Sequence, residues 1–487
     1  MKLPRLFNNM FCAVLAGALT AGVATAANDI QLPDFGEPAD RTLSPAEESE
    51  IGRDFMVRLR KAGLLLQDHE VNEYVRSLGT RLAGAGGFRT SRFTFFVMND
   101  TRINAFALPG GYVGINAGLI LESSTESELA GVTSHEIAHV TQRHIARQLD
   151  ATKNLNYATM AAVLLAIIAG GGNPEVIDAA LTIGLSGMVQ QQINYTRSHE
   201  LEADRLGIRT LASAGFDTAG MADFFERLES KSKLYGDGPP ELLRTHPVNI
   251  SRIAEAKNRA QEFKPLGAPD DTEYRLMRAR LRVLTARQAA DALAHFEGHL
   301  RETNRIEDRY GLALANHRNG RLDRAAGMLD ALIRERPRNV HFRMALADVQ
   351  MDIGQQENAI EQYAVARQIN PGYLPLAHAY ANALIQTKEP EQARLIIQQT
   401  PGALDGVMPD MQRLMAMAAR DMGQPAEAHF RMAEYHQAIG DYESAIRQLQ
   451  AALRGNEVSG NDKARLEALL EKYRREAPED VLRATRR

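Results

Sequence analysis

The sequence predicts an α+β, mostly helical fold. A helix-rich first part carries one small antiparallel sheet, and an all-α solenoid of repeats follows. Three observations predict this. Residues 125–149 read as one helix that holds His135-Glu136-Ile137-Ala138-His139. Residues 92–98 and 104–116 are rich in aromatic and β-branched side chains and read as short strands. Beyond a Pro-, Gly- and Asp-containing stretch at 262–271, the chain turns all-helical with a 34-residue period.

The elements can be justified in order. Ser44-Pro45-Ala46-Glu47 opens a first helix with a capping box and proline in the first turn. A second helix is expected over 68–83. The strand at 92–98 comes next. The 104–116 segment divides into two strands at Pro109-Gly110-Gly111. Thr125 and Glu128 form a second capping box, and Leu129, Val132, Ile137 and Val140 give that helix a buried side. Residues 157–169 and 176–189 are apolar but too short to span a membrane comfortably. They read either as a buried helical hairpin or as a lid or membrane-touching element.

In the last part, Gly320, Gly354 and Lys388 are spaced by 34, as are Ala325, Ala359 and Ala393, and Leu312, Leu346 and Tyr380. Pro337 and Pro371 close two units, and Gly440-Asp441-Tyr442 with Ala445 repeats the turn out of phase. Small residues at helix crossings with this period are the tetratricopeptide signature. About four repeats are expected over 275–473, forming a curved surface that binds peptides or protein faces.

At 487 residues the chain has room for two or three domains. A hydrophobic share of 44% and a charged share of 24% are ordinary for a soluble protein. The net charge of −4 with no basic block excludes nucleic acid as an expected partner. Lys2 and Arg5, the apolar run 11–23 and Ala24-Thr25-Ala26 read as a signal peptide cleaved after Ala26. Cleavage removes two positive charges and no acidic ones, so −4 becomes −6. It also removes Cys12, the one cysteine, leaving a mature chain stabilised by its core and any bound metal. The expected division is a signal peptide at 1–26, a peptidase domain at 27–265, a linker at 266–274 and repeats at 275–487.

The chemistry lies in the H-E-x-x-H pentapeptide. Residues four apart share a helix face, so His135 and His139 can reach one ion. Glu136 then stands beside the metal, where it can take a proton from water, which is the zinc-peptidase arrangement. Two histidines leave zinc short of a ligand. A nearby third histidine would fall at Ile145, with the required glycine at Gln142. His144 misses by one and reads as a surface residue. A later helix supplies Glu200 and Asp204, four apart on one face, with Glu202 on the other. Glu200 is therefore the expected ligand. Asp204 is expected to accept a ligand-histidine N–H and fix its tautomer.

H-E-I-A-H, S-H-E-L-E-A-D and T-H-P-V-N-I-S-R-I together resemble the peptidases related to the CAAX prenyl proteases and HtpX. With a signal sequence and C-terminal repeats, the chain resembles the periplasmic β-barrel assembly-enhancing proteases. The resemblance implies a gluzincin-like catalytic domain, one bound zinc and quality control of outer-membrane β-barrel proteins. It implies unfolded or misassembled barrel proteins as substrates, the barrel-assembly machinery as partner of the repeats, a periplasmic location and possible peripheral membrane contact. His246 matches a family position that can fill the fourth zinc site and keep the enzyme latent; otherwise it packs in a proline-containing turn. Arg252 contacts substrate or forms a structural ion pair. Ala105, Phe106, Ala107 and Leu108 resemble the family's substrate-pairing edge. A chaperone or adaptor with little proteolysis is the alternative function.

Overall fold

The computed structural model describes residues 43–152, 189–234, 240–264, 270–455, 460–477 and 481–483. The 1–26 segment expected to be a signal peptide and the 157–188 part of the apolar segments lie outside these residues. α1 (Pro45–Lys61) opens on the Ser44/Glu47 capping box and turns Ile51, Phe55, Met56 and Leu59 inward. α2 (His69–Ala85) is capped by Asp68, whose carboxylate accepts from Val71 N at 2.9 Å. Three strands follow: β1 (Thr94–Met98), β2 (Ala105–Leu108) and β3 (Tyr112–Asn116).

The sheet corrects the expectation of a purely antiparallel one. Its order is β1-β3-β2, with β2 and β3 antiparallel and β1 and β3 parallel. The tight turn after Leu108 pins β3 against β2. The 99–104 connection has already reversed the chain, so β3 runs alongside β1 between the two. Gly110 and Gly111 take φ of 79° and 88°. A Cβ on Gly111 would fall 1.7 Å from Arg92 O, so only glycine fits where the turn crosses the entry to β1. β2 is left at the edge.

α3 (Ala117–Glu122) leads to α4 (Glu126–Thr141), which is packed among β2, α2, α6 (Val189–Ser213) and α7 (Ala219–Leu234). Only half the expected capping box forms on α4. Thr125 Oγ1 accepts from Glu128 N at 3.3 Å, but the Glu128 carboxylate turns to Ser124 N and Arg227. The helix expected over 125–149 is broken. Arg143 adopts φ 50°, and α5 (His144–Thr152) starts in a new direction. Arg143 is held there by Leu43 O at 2.6 Å and Glu48 Oε1 at 3.1 Å. α8 (Glu241–Thr245) and α9 (Ile250–Ala260) complete this part.

Twelve further helices among the described residues, α10 (Thr272–Thr285) to α21 (Gly460–Glu476), form the repeats. α10 begins inside the expected 266–274 linker, where Asp270 accepts from Thr272 N at 3.0 Å. Ala325, Ala359, Ala393 and Ala445 are fully buried at helix crossings. Gly320 and Gly354 turn at positive φ, and Lys388 takes the same conformation at φ 66°. One apolar core continues from Leu66 through α4 to Val349, joining the two parts. Polar contacts reinforce this join. Tyr274 OH donates to Ser123 O at 2.6 Å. Arg280 pairs with Asp68 at 2.8 Å and Glu70 at 2.9 Å. His341 meets Glu70 at 2.6 Å. No helix of the described residues is long and apolar enough to cross a membrane.

Candidate metal centre

The site forms where α4 meets α6. Gly207 on α6 permits the contact: a Cβ there would meet Met221 Cε at 2.7 Å and His135 N at 3.2 Å. The close crossing brings Glu200, two turns earlier on α6, over the imidazoles of α4. His135 Nε2 lies 3.3 Å from Glu200 Oε2, and His139 Nε2 lies 3.4 Å from Glu200 Oε1. The two imidazole Nε2 atoms are 3.0 Å apart. His246, carried just past the five-residue α8, brings Nδ1 to 3.3 Å from His135 Nε2 and 3.1 Å from Glu200 Oε1.

One donor atom from each of these four residues lies within 4.8 Å of the others. Three imidazole nitrogens and a carboxylate crowded this closely in a buried site suit a divalent cation of the first transition row. Glu136 is fully buried, and neither carboxylate oxygen has a hydrogen-bond partner, although Oε1 lies 3.5 Å from His246 Nε2. A buried carboxylate left so is expensive unless a water or cation faces it. The residues fit a metal.

A model of peptidase family M48 matches residues 69–260, and a tetratricopeptide repeat model matches residues 351–418. A relative from Vibrio cholerae is 39% identical over 345 residues, covering 70% of this chain and 71% of its own. The β-barrel assembly-enhancing protease of Escherichia coli K12 is 34% identical over 393 residues, covering 79% of this chain and 80% of its own. The chain belongs to the β-barrel assembly-enhancing protease family. It is thus a metallopeptidase with tetratricopeptide repeats. The mitochondrial metalloendopeptidase OMA1 of Arabidopsis thaliana is similar over a shorter stretch, 28% identical over 220 residues, 45% of this chain and 42% of its own.

In this family member the remaining site residues fall as follows. Asp204 Oδ1 lies 2.9 Å from His135 Nδ1. Arg252 is buried and fully engaged: it reaches both Asp204 oxygens at 2.8 Å, Glu200 Oε2 at 2.9 Å and Pro247 O at 2.8 Å. Of its two expected roles, the structure displays the ion pair, and its guanidinium also lies over the Phe225 ring. Ala105, Phe106, Ala107 and Leu108 form the edge strand β2 beside α4.

The charges sort themselves around this geometry. With no cation at Nε2, burial opposes protonation of His135 but Asp204 and Glu200 outweigh it and carry the imidazole up to about 10; an ion bound at Nε2 would displace that second proton. Burial pushes His139 down to about 3, against Glu200's pull and helped by the charge on His135. Glu200 is held well below the usual carboxylate range because His246, His135 and His139 outweigh its burial. Asp204 is lowered despite burial by His135 and Arg252.

His144 is a correction. It is not a surface residue but is 3% exposed, with Nδ1 2.8 Å from Nδ1 of His139. On an uninterrupted helix, residues five apart point about 140° away from each other. The break at Arg143 brings them together, and no spacing rule signals that break.

Proposed function

We propose that the chain is a zinc endopeptidase of the periplasm, cleaving unassembled outer-membrane β-barrel proteins and resting latent under His246. The observation that carries this is the convergence of His135, His139, Glu200 and His246 around Glu136. His135, His139 and Glu200 would hold the ion, and three protein ligands would leave a position for chemistry. Bound there, zinc supplies Lewis acidity to the scissile carbonyl and to the attacking water. Glu136 Oε2 or Oε1 takes the proton of that water and delivers it to the leaving amine nitrogen. Asp204 keeps the His135 proton on Nδ1 so that Nε2 stays free to ligate, and Arg252 holds Asp204 and Glu200 in place.

A fourth ligand closes such a site to water. His246 would supply it from the residue just past α8 rather than from α4 or α6, so it can leave while the others remain. Among the described residues β2 is an edge strand packed against α4, the helix that carries Glu136, and an extended peptide adding there would lie beside that helix. That mode selects unassembled segments, because a closed barrel has no free strand edge. The names of the relatives support the β-barrel substrate class, and with the signal-peptide reading of residues 1–26 they support the periplasm. The repeats would dock the enzyme on the assembly machinery. The four-ligand site also suits the adaptor reading, since structural metal sites are closed in the same way. Glu136→Gln separates the two. It is expected to abolish cleavage of an unfolded barrel protein while metal and partner binding persist; full support of barrel assembly by this variant would favour the adaptor.

A further inference from the structure

His144 lies against the metal centre without being one of its ligands. Its Nδ1 is 2.8 Å from His139 Nδ1, and its Nε2 is 3.3 Å from Glu202 Oε2. Arg147 Nη1 donates to the same Glu202 oxygen at 3.1 Å. His199 stacks on the His144 ring, 4.1 Å between centroids and 5° from parallel.

Proton placement follows from the nitrogen inventory. His139 turns Nε2 toward His135 and Glu200. A neutral imidazole that offers Nε2 to an ion carries its proton on Nδ1. The atom 2.8 Å away that receives this proton is His144 Nδ1. His144 then carries its own proton on Nε2, the nitrogen facing the Glu202 carboxylate. The row reads Glu202 carboxylate, His144 imidazole, His139 imidazole, ion.

We propose that His144 is the positioning residue of His139, transmitting the pull of Glu202 to the metal ligand through a second imidazole. This rests on the reading of His135, His139 and Glu200 as metal ligands. The two ligand histidines are then held by unlike devices. His135 faces Asp204 directly at 2.9 Å, deep in the protein and backed by Arg252. His139 reaches its carboxylate through His144, and that carboxylate is about a third exposed. The backbone is built for this contact: Arg143 takes a left-handed conformation unusual for a non-glycine residue, and its side chain is tied to α1 and to Leu43.

The test is Zn2+ affinity of the mature protein, measured by competition with a chromophoric chelator. Asparagine keeps an acceptor near the Nδ1 position; glutamine keeps a polar group near Nε2 alone. His144→Ala and His144→Gln are expected to weaken Zn2+ binding by about 10–100-fold, with His144→Asn within about threefold of wild type. Glu202→Gln, at a partly exposed position where folding is not at risk, is expected to weaken binding by less than His144→Ala. Metal-free melting temperatures of the asparagine and glutamine variants should agree. Ala and Gln variants within about twofold of wild type would overturn the proposal. So would Asn and Gln variants equally weakened, since that is the behaviour of a space-filling side chain. Wild type that binds no Zn2+ would instead overturn the reading of the site itself.

Discussion

Replacing Arg252 with methionine would test how the site is held when metal is absent. Arg252 is 3% exposed and spans Asp204 at 2.8 Å and Glu200 at 2.9 Å. Methionine keeps much of the apolar stem and the contact with Phe225 but leaves two buried carboxylates facing each other. Breaking a buried ion pair by removing one partner costs about 3–5 kcal/mol. In a cooperative unit of about 150–250 residues that lowers the melting temperature by about 6–20 °C, and the core shared with the repeats enlarges the unit and sets the shift toward the lower end. A bound divalent ion supplies positive charge at Glu200, so the loss in the metal-loaded protein is expected to be less than half as large. The difference between the two losses is a gain in metal affinity, about tenfold for each 1.4 kcal/mol. The assay is thermal melting of wild type and Arg252→Met, each with metal and with chelator. Equal losses in both states would refute the reasoning, because Arg252 would then not share charge compensation with the ion.

Other parts of the molecule give further expectations. His378 lies 4.1 Å, ring to ring, from His69, and burial pushes it down to about 3, with the charge on His69 next and Asp410 opposing. Its folded value is below its unfolded value, so its contribution is full above about pH 6.5 and is lost as pH falls toward 3. Between pH 7.5 and 5.5, wild type should lose about 1.4 kcal/mol more than His378→Leu in urea unfolding, and equal losses would count against the assignment. Lys388→Gly should stabilise by up to about 1 kcal/mol by relieving the left-handed backbone, read from the same unfolding curves; destabilisation would mean that its side-chain contacts outweigh the strain.

How much of this was legible in the sequence follows from the range of each interaction. Helix starts are local events, so the Ser44/Glu47 cap could be read directly. The meeting of His135, His139 and Glu200 was legible in part, because four-residue spacing places the two imidazoles on one face of α4 and Glu200 with Asp204 on one face of α6; His246 came only from the family resemblance. The 34-residue period exposed the repeats through small residues at crossings and glycines at turns. What failed was non-local. β3 lies between β1 and β2 because of the direction of the 99–104 connection, which no residue pattern records. Glu128 left its capping box for Arg227, a partner 99 residues away. His144 was misread because the break at Arg143 depends on Leu43 and Glu48, far back in the chain. Gly207 is a signal visible in the sequence: a glycine within a helix, two turns past a candidate ligand, marks a close crossing.

The central claim is that His246 closes a competent metallopeptidase site. The most direct measurement is cleavage of an unfolded barrel protein by mature wild type and His246→Ala, with zinc content determined on both. The account predicts that the variant keeps its zinc and cleaves faster, since His135, His139 and Glu200 remain and a ligand position opens. Equal or slower cleavage by a fully zinc-loaded variant would contradict it.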